Sequence, residues 1–212
     1  MNHDMLDTLD AISTKYNLDK NISSGCHNYI PRYTQLFEPI RNNVKNILEI
    51  GIGSVENGQM SGVVSQGYKT GNSLKCWKEY FLNAQIFGID IYEHKELNDD
   101  RIKTYVADQN DAKCLFNLMN YINCDLDIII DDGSHDGEHQ AFTFMVLHKF
   151  LSKGGIYCIE DIQPQYINNF ADLSIFPEKF RCYILNNFKV EFYDSRKLHN
   201  RADDVIISFK RI

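Results

Sequence analysis

Two pairs of acids, Asp131-Asp132 and Glu160-Asp161, each close an apolar run, and His135 follows the first pair by three residues. Carboxylates brought together repel unless a cation or a proton offsets their charge. Oxygen ligands suit a hard divalent ion, and an imidazole that titrates near neutrality suits proton removal. These residue types therefore point to metal-assisted chemistry with His135 as general base. Acids at strand ends and Asp-Gly or Gly-Gly pairs are also ordinary turn formers, so a lone Asp-Asp-Gly would carry little. Two acid pairs on neighbouring strands carry more.

The elements that must position them read as strand, helix, strand. Ile128-Ile129-Ile130 and Ile156-Tyr157-Cys158-Ile159 are the strands, and Phe142, Met145, Val146 and Phe150 mark a helix closed by Lys153-Gly154-Gly155. Such a βαβ unit makes the strands parallel and adjacent. In open α/β sheets ligands bind outside the carboxyl ends of the strands, where the four acids and His135 would converge. Upstream, the buried strand Asn46 to Ile50 runs into Gly51-Ile52-Gly53, half of a nucleotide-binding turn. A second strand, Gln85 to Ile89, ends at Asp90, placed to accept from ribose hydroxyls. A third, Arg101 to Val106, ends in Ala107-Asp108-Gln109, where Asp108 suits an adenine amino group or caps the helix from Ala112 to Tyr121.

Residues 54–70 show no periodicity and read as an inserted loop or lid, so the next helix begins only at Asn72 or Ser73, either of which can cap it. Residues 1–43 read as an N-terminal helical cap, with one helix from residue 4 to 16 and another from Pro31 to Ile40. Lys20, His27, Tyr29 and Tyr33 lie in this cap; padding of the helical layer is the favoured reading, and reaching a ligand over the sheet edge the other. A helix from Pro177 to Asn187 precedes two strands, Lys189 to Tyr193 and Asp204 to Lys210, whose short connection makes one of them antiparallel. The expectation is one α/β domain over residues 1–212, a doubly wound sheet with one reversed strand.

Length and composition agree with a single core: 212 residues, 43% of them hydrophobic. A net charge of -7 and a pI near 5.5 argue against a phosphate-backbone binder, so no nucleic acid is expected. Six cysteines without a CxxC pair or metal spacing suit a reducing compartment. The acidic start MNHDMLDTLD lacks the apolar core of a signal peptide, and no run reaches membrane-spanning length. A cytoplasmic protein is expected, and the first helix and the 54–70 stretch are candidate contacts for a homo-oligomer.

LEIGIG, GID, ADQND, IDDGSH and GGIYCIED, taken in order, resemble the motif series of class I S-adenosylmethionine-dependent methyltransferases. DDGSHxxxHQ with the downstream IED resembles, more narrowly, the Mg-dependent sugar O-methyltransferases that modify macrolide antibiotics (the mycinamicin and macrocin type), a pattern shared with cephalosporin hydroxylase-like proteins. YNLDK and HNY look like that group's N-terminal element, with Asn17-Leu18 in place of Gly-Thr. The resemblance implies a Rossmann-like, mostly parallel seven-stranded sheet with a C-terminal antiparallel hairpin strand. It implies S-adenosylmethionine as cofactor, Mg²⁺ (or Mn²⁺) as metal and a small-molecule or carbohydrate acceptor. Gly51 and Gly53 would line the cofactor with Glu49 supporting their turn; Asp90, Asp108 and Gln109 would face ribose and adenine; Asp131 would lie on the cofactor edge. Asp132, Glu160 and Asp161 would hold the metal, and His135 would be the base. In that group the stretch between Gly53 and Gly71 is expected to be shorter, and larger members carry an additional N-terminal domain.

Four other readings remain on the residues themselves. A metal-dependent hydrolase would use the same acids, but a zinc protease needs its Glu directly after the first His on a continuous helix, whereas Asp136-Gly137 follows His135. His139 is then expected to pack at the helix start and His148 to lie on the surface. A nicotinamide-dependent oxidoreductase lacks a third glycine in register and has no use for clustered carboxylates. A methyltransferase with a non-sugar acceptor, or a binding module without catalysis, shares the nucleotide pocket.

Overall fold

The computed structural model describes residues 7–55 and 67–212, so most of the expected 54–70 insert lies outside the described residues. β1 (Asn46–Ile50), β2 (Gln85–Asp90), β3 (Ile102–Val106), β4 (Leu126–Asp131) and β5 (Leu151–Ile159) are joined by helical crossovers. Strands β6 (Phe188–Asp194) and β7 (Val205–Arg211) complete a seven-stranded sheet in the order β3-β2-β1-β4-β5-β7-β6. Pairs among β1 to β5 are parallel, while β7 runs antiparallel to both β5 and β6. The single reversed strand is therefore β7, inserted between β5 and the sheet's edge. This is the Rossmann-like methyltransferase architecture that the motif series implies.

The strand order reverses between β1 and β4, the place where such sheets open a crevice at their carboxyl ends. Their near-continuous apolar sequences follow from burial on both faces. On one face lie α4 (Ala112–Ile122), α5 (Gly137–Leu147), α6 (Ile167–Ala171) and α7 (Glu178–Asn187), packed on Ile50, Ile129, Tyr157 and Phe209. On the other lie α1 (Leu9–Lys15), α2 (Ile30–Phe37) and α3 (Asn72–Tyr80), packed on Ile47, Ile128, Ile130 and Cys158. The short helix α8 (Arg196–His199) lies in the β6–β7 connection. Among the described residues no helix is long and apolar enough to cross a membrane.

Local details differ from the sequence expectations. Lys153-Gly154-Gly155 does not stop a helix: α5 ends at Leu147 and these residues lie inside β5. Gly154 sits there at φ +80, and the β4–β5 register shifts between Leu126 and Ile128, so the glycines accommodate a bulge. The cap of α3 is Gly71 in the left-handed conformation, one residue before Asn72, and Asn72 instead donates to Tyr16 O at 2.6 Å. His148, expected on the surface, is buried.

Candidate active site

The carboxyl ends of β1, β2 and β4 open into a cleft of about 810 Å³ whose lining extends to the cap segment 19–27 and to Arg201 and Asp203. Its first half is built on the turn after β1. Gly51 lies at φ +85, and a Cβ there would come within 2.0 Å of Asp132 O, so the turn closes against β4 only with glycine. Gly53 has φ +71 and also lines the cleft. Asp90 clamps the turn from β2: one oxygen accepts from Ile52 N at 2.9 Å, the other from Tyr92 N at 3.0 Å. Each oxygen retains a lone pair at the cleft wall. Asp108 is exposed on the lining and accepts from Asn110 N, while Asp111 caps α4. Capping is thus not what Asp108 does.

Gln109 lines the same half but its amide is already committed. It donates to Asp131 Oδ1 at 3.2 Å and to Thr143, and it accepts from Ser134 N at 2.6 Å. Asp131 itself is fully buried and lies off the cleft, contrary to its expected place on the cofactor edge. Strand alternation explains this: Asp131 follows Ile129 onto the α5 face, where Tyr157 donates to it at 3.2 Å. Burial pushes its carboxyl up to about 7 against the Gly133 N–H, the Tyr157 hydroxyl and the Gln109 amide. Glu49, on the opposite face, is also fully buried off the cleft; burial pushes it up to about 7, with the Lys20 charge opposing.

The second half gathers acids around His135. Asp132 Oδ1 lies 3.1 Å from His135 Nε2, and Asp161 Oδ2 lies 3.8 Å from the same nitrogen. One ligand atom from each of Asp132, His135 and Asp161 falls within 4.8 Å of the others, an oxygen-rich set that fits a hard divalent cation. Both His135 (φ 56) and Asp161 (φ 52) hold left-handed backbone, uncommon for side-chain-bearing residues and concentrated where function imposes it. Burial lowers the affinity of His135 for its proton, but the bond and charge of Asp132 and the charge of Asp161 outweigh it and raise the pKa to about 9. Burial likewise pushes Asp132 up, yet Lys20 and His135 hold it well below the usual carboxylate range.

Glu160 is not among these three. Its side chain alternates onto the cap face, where Lys20 Nζ donates to it at 2.8 Å and the Tyr33 hydroxyl donates to its other oxygen. The cap therefore does more than pad. Lys20 also bonds Asp132, Tyr29 donates to Asp161 at 2.6 Å, and His27 bridges Asp161 and Asp204 at 3.3 Å each. Lys20 and His27 reach the cleft wall itself. These four were visible as polar and aromatic residues near YNLDK and HNY, but no local spacing shows which acids they meet. His135 and His139 do not form a zinc pair: α5 starts after His135, and His139 turns to Ser134 at 3.1 Å and Asn110 at 3.2 Å. As expected, it packs at the helix start.

No family model matches the chain. Among curated proteins it is 36% identical over 142 residues to a tetracenomycin rhamnosyl 2'-O-methyltransferase of Streptomyces olivaceus, covering 67% of this chain and 35% of that protein. It is 37% identical over 163 residues to demethylmacrocin O-methyltransferase of Streptomyces fradiae, covering 77% and 38%. The chain thus spans little more than a third of the length of the curated relatives it matches. Among solved structures, a methyltransferase of the mycinamycin biosynthetic pathway in complex with Mg and SAH superposes with a TM-score of 0.72 at 25% identity, over 97% of this chain and 55% of that one.

Proposed function

We propose that this chain, which has the class I methyltransferase fold and sugar O-methyltransferases among its relatives, is an S-adenosylmethionine-dependent O-methyltransferase. Its acceptor is a hydroxyl of a sugar or glycosylated small molecule, and a divalent cation assists. The observation that supports this most is that one cleft joins the glycine turn and strand-end acids to the Asp132–His135–Asp161 cluster. A nucleotide-type cofactor and an activated hydroxyl can then meet without either leaving the site.

S-adenosylmethionine supplies an electrophilic methyl group. Gly51 and Gly53 leave the backbone open to it, Asp90 accepts from the ribose hydroxyls and Asp108 from the adenine amino group. Glu49, Gln109 and Asp131 act from beneath, holding the turns that present these groups. Asp132 and Asp161 would hold a divalent cation, Mg²⁺ or Mn²⁺, whose Lewis acidity would ease deprotonation of a hydroxyl and whose charge would offset the carboxylates that keep His135 protonated. Glu160, tied to Lys20 and Tyr33, supports that pair from behind. His135 Nε2 would take the hydroxyl proton as the methyl–sulfur bond breaks, its electron pair staying on sulfur in the departing S-adenosylhomocysteine, and the cleft walls would fix the in-line alignment.

Calorimetric titration with S-adenosylmethionine and with NAD, each with and without Mg²⁺, tests the reading. Binding of the former alone, followed by methyl transfer to glycoside acceptors that stops on chelation, is expected. Binding of NAD alone, or of neither, would overturn it.

A further inference from the structure

Resting on that reading of the cleft, we propose that Lys20 is the resident counter-cation of the acid cluster and the residue that sets its charge. Its ammonium bonds Glu160 and Asp132 Oδ2, so that the net charge the cluster offers a divalent ion depends on it. Lys20 is 1% exposed. Its Nζ donates to Glu160 at 2.8 Å, bonds Asp132 Oδ2 and stands 3.8 Å from Glu49 Oε1. Three carboxylates, one in β1 and two just past the ends of β4 and β5, thus share one positive charge.

The position of that charge is built rather than incidental. His27 N donates to Asp19 O at 2.8 Å and Tyr29 N to Lys20 O at 2.9 Å, so the cap segment closes on itself at the lysine. Asn21 caps the following turn by accepting from Ser23 N at 2.9 Å. A buried ammonium would be strongly unfavourable alone, and so would the acids; each is tolerable because of the other. The division of labour on Asp132 follows from its two oxygens: Oδ2 faces Lys20, while Oδ1 faces His135 and the cleft. Lys20 therefore acts as a positioning residue, holding Asp132 Oδ2 and Glu160 while Asp132 Oδ1 stays toward the cleft.

Charge counting makes this testable without an activity assay. Lys20→Met leaves the cluster one negative charge richer, so Mg²⁺ should bind about tenfold tighter or more by calorimetry. Metal-free Lys20→Met should melt roughly 10 °C below wild type, and added Mg²⁺ should recover more of that loss than it gains for wild type. Lys20→Met combined with Glu160→Gln restores the charge count, and both Mg²⁺ affinity and melting should return toward wild type. Unchanged or weaker Mg²⁺ binding in Lys20→Met, or a double variant no closer to wild type than the single one, would overturn the proposal. If Lys20→Met does not fold, the same comparison is made with Lys20→Gln and its Glu160→Gln partner. S-adenosylmethionine binding measured on wild type reports separately on the methyltransferase reading, so failure of the two is distinguishable.

Discussion

The two faces of the sheet are both built on aromatic rings, and they use them differently. On the α5 face Phe144 stacks on Phe209 at 4.2 Å and meets Tyr157, Phe176 and Phe188 edge-on or tilted at 5.0 to 5.6 Å. On the cap face Tyr33 stacks on Phe37 at 4.8 Å and meets Trp77 edge-on at 5.6 Å. The packing is alike, but the hydroxyls differ in destination: Tyr157 on the α5 face reaches Asp131, buried off the cleft, whereas the cap rings reach Glu160 and Asp161. A ring held by its neighbours on every side is a rigid rod, and a phenol at its tip becomes a fixed donor. The α5 face supplies cohesion and fixes one acid away from the cleft. The cap face converts cohesion into the orientation of acids at and behind the cleft.

The largest expected effect belongs to the cohesive face. Phe144→Ala should cost about 3–5 kcal/mol of stability, because the hole is walled by rings that cannot collapse into it. Urea unfolding measures this, and S-adenosylmethionine affinity of the folded fraction should be unaltered. A loss below about 1 kcal/mol would show that this face is not the stabilising one. On the side proposed to be catalytic, His135→Ala should lower turnover about a hundredfold or more while S-adenosylmethionine still binds. Near-normal turnover would remove His135 from the base role.

Between these lies Tyr33→Phe, which keeps the rod and deletes its tip. The Glu160 oxygen it served becomes a buried acceptor with Lys20 alone on its partner oxygen, and a hydrogen bond to a charged group contributes about 1.5–3 kcal/mol. The expected result is a stability loss of that size by urea unfolding. An unaltered midpoint would make Tyr33 equivalent to Phe144, a packing ring and nothing more, and the contrast between the faces would fail.

The strands and the carboxyl-end acids were legible because continuous apolar runs and glycine turns are local signals. What a strand-end pair cannot reveal is which acid faces where. Asp131 and Asp132 are adjacent, so they leave the strand on opposite sides, one to Tyr157 and Gln109, the other to His135. Glu160 and Asp161 divide in the same way, between Lys20 and the cleft. Lys20 was hidden for another reason: it lies 112 residues from Asp132 and 140 from Glu160, and no spacing encodes such a meeting. Gly154-Gly155 misled because the dipeptide marks a turn more often than a bulge within a strand.

His148 misled through its polarity, and it offers the smallest and most directional test. It follows α5 and is buried against Phe180 and Tyr183 at 5.0 and 5.3 Å, with Nδ1 donating to Met145 O at 2.9 Å. Burial lowers its pKa below the ordinary 6.5, and Lys149 and Arg211 act in the same direction. A group whose folded pKa is depressed binds fewer protons when folded, so stability falls as pH drops. Its contribution is whole above about pH 6.5, the unfolded value, and fades as pH falls toward the folded one. Wild type should therefore exceed His148→Gln in melting temperature at pH 8, and the gap should narrow by pH 5. A gap that widens on acidification would mean that the ring is held protonated, and the α5 face would then carry a charge where its aromatic packing requires none.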